Sequence, residues 1–300
     1  MRRLAAIIAF LLALSSVLWA SQAGQASQDT PFRIQVGVDL VSVNFSATDS
    51  KGRLLPGLTQ QDFVVEEDGK AQTITAFSRE RELPLTLALL MDVSLSVVPF
   101  FEKEKATASA FLKSVLGRRD LALVMSIDRD VVLAQNFTED VDALTAAIQK
   151  LKISPGTSIY DAVYLAATEK LSREIGRKAI VLISDGEDTT SQYNASQAMI
   201  AVHNSNTVIY AISNGGNSGA MRRMAEDTGG AFFRIREEGD FEQVFNQIAL
   251  ELRTQYTLAY HSTNTVRDGA FRRIKIIPAD SSVKIRARRG YYAPREPGSR

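Results

Sequence analysis

The chain has no cysteine, which excludes disulfides, thiolate metal sites and lipid attachment through an N-terminal cysteine. Its stability has to come from packing. Histidine is nearly missing too: His203 is expected in a surface helix and His261 at the end of a late strand, far apart and without a nearby carboxylate pattern. That argues against a Ser-His-Asp triad and against a His-rich zinc site. The patterns G-x-S-x-G, G-x-x-x-x-G-K-[ST] and G-x-G-x-x-G after a strand do not occur, so hydrolytic and nucleotide chemistries lose their usual signatures. An excess of charge of one sign is also lacking, with 35 basic against 34 acidic residues and a net charge of +1. No basic stripe points to nucleic acid as a partner, and Arg267 to Arg289 reads as a solvated strand face.

What is present is a globular composition, 45% hydrophobic and 23% charged over 300 residues. Residues 1–23 have the charged start, apolar centre and small-residue exit of a secretory signal peptide, with cleavage after Ala20 or Ala23. The alternative is an uncleaved anchor, since Leu4 to Ala20 approaches the ~20 residues that span a bilayer. The expectation is an exported protein, periplasmic or secreted, with membrane contact only if that segment is retained.

Beyond the signal, Gln35 to Thr48 alternates apolar and polar residues and Asp49-Ser50-Lys51-Gly52 makes a turn. Phe63 to Glu66 and Gln72 to Phe77 follow as short strands around Glu67-Asp68-Gly69-Lys70. From Leu85 the pattern changes to apolar strands alternating with amphipathic helices, the signature of a doubly wound, mostly parallel sheet. Strands are expected near Leu85–Met91, Leu121–Ser126, Val131–Ala134, Ala179–Ile183, Val208–Ile212 and Ala231–Arg234. Helices are expected near Phe100–Leu116, Asp140–Leu151, Ile159–Leu171, Asn194–Asn204, Gly219–Asp227 and Asp240–Leu252. After Arg253 three short β segments return, Gln255–His261, Phe271–Ile277 and Val283–Ala287. Neither flank alone buries much core, so the two are expected to fold together as one β-sandwich-like domain with the α/β domain inserted. The division is 33–82 for the N-terminal β segment, 84–253 for the α/β domain, 254–292 for the C-terminal β segment and 293–300 for a disordered tail.

The strand at Leu85 ends in Asp92-Val93-Ser94-Leu95-Ser96, three small oxygen-bearing side chains where open α/β sheets bind ligands. Alone, D-x-S-x-S also fits a helix cap. Two further segments add to it: Ser154-Pro155-Gly156-Thr157-Ser158, which places Thr157 at the mouth of a helix, and Ser184-Asp185-Gly186-Glu187-Asp188 at the end of another apolar strand. In this order, D-x-S-x-S, then Gly-Thr, then Ser-Asp-Gly, the chain from Pro84 to Arg253 resembles a von Willebrand factor type A (VWA) domain with its metal-ion-dependent adhesion site (MIDAS). The flanks, through Leu58 to Phe63, Asp68-Gly69-Lys70 and Arg289-Gly290-Tyr291, resemble those of a bacterial group related to these domains and described chiefly from acidobacteria.

The resemblance implies hydroxyl ligands at Ser94, Ser96 and Thr157, with Asp92 and Asp185 binding the ion directly or through water. It also implies a protein ligand whose acidic residue completes the coordination. Such an oxygen set suits Mg²⁺, with Mn²⁺ or Ca²⁺ as alternatives. Neutral hydroxyls leave a cation under-neutralised, and so open to a partner carboxylate. Asp161 is placed to touch a metal-bound water, although an acid in the first helical turn also stabilises the helix dipole. Glu187 and Asp188 read equally as caps of the following helix or as the rim of the site. The sequence departs from the family at Leu95, where many members have glycine, and at Val97, where a small residue or methionine is usual. Two other readings compete with adhesion: a scaffold with a vestigial metal site, which Leu95 favours, and a haloacid dehalogenase-like phosphatase. The second needs an acid two residues after the nucleophilic aspartate, and Ser94 stands there instead, so the chain is not expected to be an enzyme.

Overall fold

The computed structural model describes residues 40–79 and 83–296, all within one compact unit, Val38–Arg300. The expected signal segment and residues 33–39 lie outside the described residues. β1 (Leu40–Thr48) is followed by β2 (Phe63–Glu67) and β3 (Lys70–Gln72). These last two are joined by Asp68 (φ 47°) and Gly69 (φ 79°). Both adopt the left-handed conformation that a two-residue hairpin turn requires, which is why Asp-Gly stands there. The run expected as one strand, Gln72–Phe77, divides at Thr73, with β3 in one sheet and β4 (Ile74–Arg79) in another.

The α/β domain runs β5 (Leu85–Asp92), α1 (Phe101–Val115), β6 (Leu121–Ile127), β7 (Val132–Thr138), α2 (Val141–Gln149), α3 (Ile159–Leu165) and β8 (Arg177–Ser184). It continues with α4 (Ala195–Ser205), β9 (Thr207–Ser213), α5 (Gly219–Asp227), β10 (Phe232–Arg234) and α6 (Asp240–Thr254). Its sheet has the order β10-β9-β8-β5-β6-β7. All neighbours are parallel except β6 and β7. Only a tight turn separates β6 from β7, far short of the dozen or more residues that a parallel crossover needs. The helix expected over Ile159–Leu171 is α-helical only through Leu165, then widens into a π turn and tightens into a 3₁₀ turn.

All eight residues of β5 are buried because it lies between β6 and β8 with helices on both faces. Alternation along the strand sends Leu85, Leu87, Leu89 and Met91 into one core, with Phe111 and Leu112 of α1 and Phe245 and Ile248 of α6. Ala88 and Leu90 enter the other, with Val163 of α3, Val202 of α4 and Met224 of α5. Fully burying each such leucine contributes about 1.5–3 kcal/mol.

The chain passes from α6 into β11 (Tyr256–His261), β12 (Phe271–Pro278), β13 (Lys284–Ala287) and β14 (Gly290–Tyr292). Two four-stranded sheets result, β13-β1-β11-β4 and β14-β12-β2-β3, and each contains strands from both flanks. They share a third core built on Val43, Phe45, Val65, Leu258 and Ile276. In it Phe45, Phe63, Phe77 and Tyr256 pack with ring centroids 5.0–6.3 Å apart. This layer is tied to the α/β domain by Gln255 Nε2, which donates to Tyr210 Oη (2.8 Å), and by the Arg286–Glu251 and Arg289–Asp227 ion pairs. At the start of the segment expected as a tail, Ala293 is buried and donates its N–H to the Ala270 carbonyl, while the Pro294 carbonyl accepts from Gly269; residues 297–300 lie outside the described residues.

Candidate functional site

Asp92 is the last residue of β5, and the parallel register with β8 sets Met91 beside Ile183. Ser184 and Asp185 therefore leave the sheet next to Asp92. Asp92 is fully buried; its Oδ1 accepts the N–H of Ser94 (2.8 Å) and its Oδ2 accepts the hydroxyl of Ser184 (2.6 Å). The first bond curls the chain so that Ser94 and Ser96 share a face, their Oγ atoms 2.8 Å apart.

Hydrogen bonds draw the other two loops in. The N–H of Ser154 donates to the Val93 carbonyl (2.8 Å), which ties the Gly156-Thr157 loop to the end of β5. The Thr157 carbonyl accepts from Thr189 (2.8 Å) and Thr190 (3.2 Å), and the Thr157 N–H donates to Thr189 Oγ1 (3.1 Å). Gly186 and Gly216 make the closest approach possible. A Cβ on Gly186 would stand 2.7 Å from Ser218 Cα, one on Gly216 would stand 2.6 Å from the Asp185 carbonyl oxygen, and both have positive φ. Ser94, Ser96, Thr157 and Asp185 line one cavity of about 220 Å³, with Leu95, Gly156, Glu187 and Thr189 around it. Asp92 lies behind this cavity and braces the Ser94 loop.

The electrostatics are one-sided. Burial raises the Asp92 carboxyl above its ordinary range; the hydrogen bonds from Ser184 and Ser94 oppose this, and the nearby charge of Asp185 adds to it. None of these influences is a basic side chain. Behind Asp92, Glu104 of α1 is fully buried, and burial first, with Asp92 adding, pushes its carboxyl up to about 8. Its Oε1 accepts from Asn214 Nδ2, and Glu104 Oε2 and Asn214 Oδ1 have no partner among the described residues. A hard cation fits this surplus of oxygen and negative charge, and histidine and sulfur ligands are lacking. No group of three or more His, Cys, Asp or Glu side chains suited to a metal occurs among the described residues. An ion here would rest on hydroxyls with two carboxylates.

The surrounding acids divide. Asp161 accepts the N–H groups of Gln192 and Tyr193 (2.8–3.0 Å), so its carboxylate holds the loop after β8. Asp188 accepts from Tyr160 N–H (3.1 Å) and from Ser191 Oγ (2.6 Å). It thus caps the preceding helix α3, not the following α4, whose cap is Asn194. Glu187 stands at the rim. Leu95 is 68% exposed at the same rim, and Val98, three residues on, is exposed too.

Ser184, Glu104 and Asn214 are site residues that sequence reasoning misses. Glu104 had a signal: it falls on the buried stripe of α1, between Phe101 and Ala108. An acid on an apolar face needs a reason.

Residues 87–187, about a third of the chain, match the family model of the von Willebrand factor type A domain. The α/β domain carries this match, and its fold is consistent with that of VWA domains. Among solved structures it is similar to proximal thread matrix protein 1 from the mussel byssus with a zinc-occupied MIDAS motif. The two are 15% identical over 61% of this chain and 48% of that one, with a TM-score of 0.51, a likeness of fold. BatB from Bacteroides thetaiotaomicron is 17% identical over 56% of this chain and 98% of that one, with a TM-score of 0.48. No curated protein matches the chain in sequence.

Proposed function

We propose that this chain is an exported binding module that recognises a protein ligand through a divalent cation, the module being residues 84–253 carried on the strands of 33–82 and 254–292. Asp92, Ser94, Ser96, Thr157 and Asp185 would hold the ion, and an acidic residue of the partner would complete its coordination. The observation that carries this reading is the convergence of Ser94, Ser96, Thr157 and Asp185 on one cavity at the ends of the central strands. Mg²⁺ is favoured by the hard-oxygen donors, with Mn²⁺ or Ca²⁺ as alternatives. When bound, the ion supplies a positive charge that hydroxyl ligands leave under-neutralised and that a carboxylate is drawn to. The chain's own part is to orient the oxygens: Asp92 holds the Ser94 turn, and the Thr157–Thr189 bonds hold the second and third loops together. Exposed Leu95 and Val98 add an apolar rim, which suits an acidic partner residue flanked by an apolar one. Ser94 in place of a second acid speaks for binding over phosphoryl chemistry. Export rests on residues 1–23; among the described residues no helix is long and apolar enough to cross a membrane.

The test is thermal unfolding with MgCl₂ and with EDTA. Wild type is expected to melt higher with Mg²⁺, and Asp92→Ala and Asp185→Ala to lose that rise. A rise unchanged in both variants would overturn the reading.

A further inference from the structure

A second site lies on the other side of the molecule, where α4 meets the flank sheets. A groove of about 1010 Å³ runs between α4, the start of β1 and the segment around β14. One wall carries His203 and Tyr292, whose rings meet edge-on (centroids 6.0 Å), and Phe271, which does not itself line the groove, packs edge-on against both (5.6 and 5.1 Å). Ile200 and Leu40 stand partly exposed along it. Arg288 lines the groove from below and is only 9% exposed.

Arg288 is held but not neutralised. One nitrogen, Nη2, donates to the Ser42 carbonyl (2.7 Å), and the Tyr291 ring centroid lies 5.7 Å from the guanidinium. Its Nε has no hydrogen-bond partner among the described residues. Among the described residues no aspartate or glutamate lines the groove, while Arg295 does. Asp227, which acts on His203 from nearby, is paired with Arg289 at 2.9 Å. The positive field reaches the aromatic wall: burial first, and Arg288 second, push His203 down to about 4. A buried charge without a counter-ion is costly unless something else satisfies it.

We propose that this groove binds an amphipathic carboxylate, the carboxylate meeting Arg288 and an aromatic or branched apolar body lying against His203, Tyr292 and Ile200. The unpaired guanidinium supplies a charge-assisted donor for one end and the ring cluster a surface for the other. The site shares no residue with the metal-type cavity and stands independently of the function proposed above.

The test uses 3-phenylpropionate as probe and 3-phenylpropionamide as its neutral control, read from the imidazole resonances of His203. The chain has two histidines, so the His261→Gln variant assigns them. Expected are saturable shifts at His203 with the acid, at least tenfold weaker binding of the amide, and at least tenfold loss in Arg288→Met. Ile200→Glu, at an exposed position of α4, is expected to weaken binding by a similar factor and keeps the test decisive if Arg288→Met does not fold. Binding is expected to persist in EDTA and in Asp92→Ala. Equal binding of acid and amide, equal shifts with inorganic phosphate, or full binding by Ile200→Glu would each overturn the proposal.

Discussion

Glu67 and Glu104 are both buried carboxyls, 2% and 0% exposed, yet they sit in opposite circumstances. Glu67, in the flank sheets, accepts from Tyr260 Oη (2.8 Å), Tyr291 Oη (2.9 Å) and Ser262 Oγ, and Arg272 stands 3.6 Å away and equally buried. Glu104, behind the cavity of the α/β domain, accepts one side-chain amide and, among the described residues, keeps one oxygen without a partner and has no base acting on it. The first is a saturated network and acts as scaffold. The second leaves polar capacity unused in the interior, which native proteins tolerate where a site has a use for it.

Removing the base should break this contrast most strongly. Arg272→Met leaves Glu67 buried and uncompensated and is expected to cost about 3–5 kcal/mol in denaturant unfolding, since breaking a buried pair strands a charge. A loss below about 1 kcal/mol would mean that the flank network is not the scaffold described. Glu104→Gln should act in the opposite direction. Its folded-state value of about 8 lies above the ordinary 4.5. The folded state therefore keeps a proton that the unfolded chain releases, and stability is full below about 4.5 and lost as pH rises toward 8. Glutamine removes that loss. A gain on the order of 2 kcal/mol is expected at pH 9 and little at pH 4, from unfolding curves at the two values. A gain independent of pH would sink the account. The smallest effect should come from Leu95→Gly. At so exposed a position, stability is expected to stay within about 0.5 kcal/mol while Mg²⁺-dependent retention of an acidic partner changes. A large loss of stability would show that Leu95 packs after all.

The doubly wound domain is legible in the sequence because its strands are continuous apolar runs and its helices carry a 3.6-residue stripe, both of which follow from burial. The three loops of the site are legible as well, since each places small oxygen side chains directly after an apolar run. What escapes depends on contacts between distant residues. The antiparallel β7, the sheet change at Thr73, Asp188 capping the helix before it and His203 lying against Phe271 and Tyr292 leave no local period to read. Asp161 reads as a helix-dipole acid that could also touch a metal-bound water, and Asp188 as a cap of the following helix or part of the rim; the structure engages both with backbone N–H groups. Glu104 is a middle case, visible as an acid on a buried stripe but not as a neighbour of Asp92.

The α/β segment follows β4 and ends at β11, and these two strands are paired, with Arg79 opposite Tyr256. Its entry and exit therefore lie only about 5 Å apart, the span of one cross-strand pair. A segment whose ends meet so closely adds its whole length without spreading the two strands that carry it. In the grammar of the fold everything from β5 to α6 is a parenthesis opened and closed between two paired strands of one sheet.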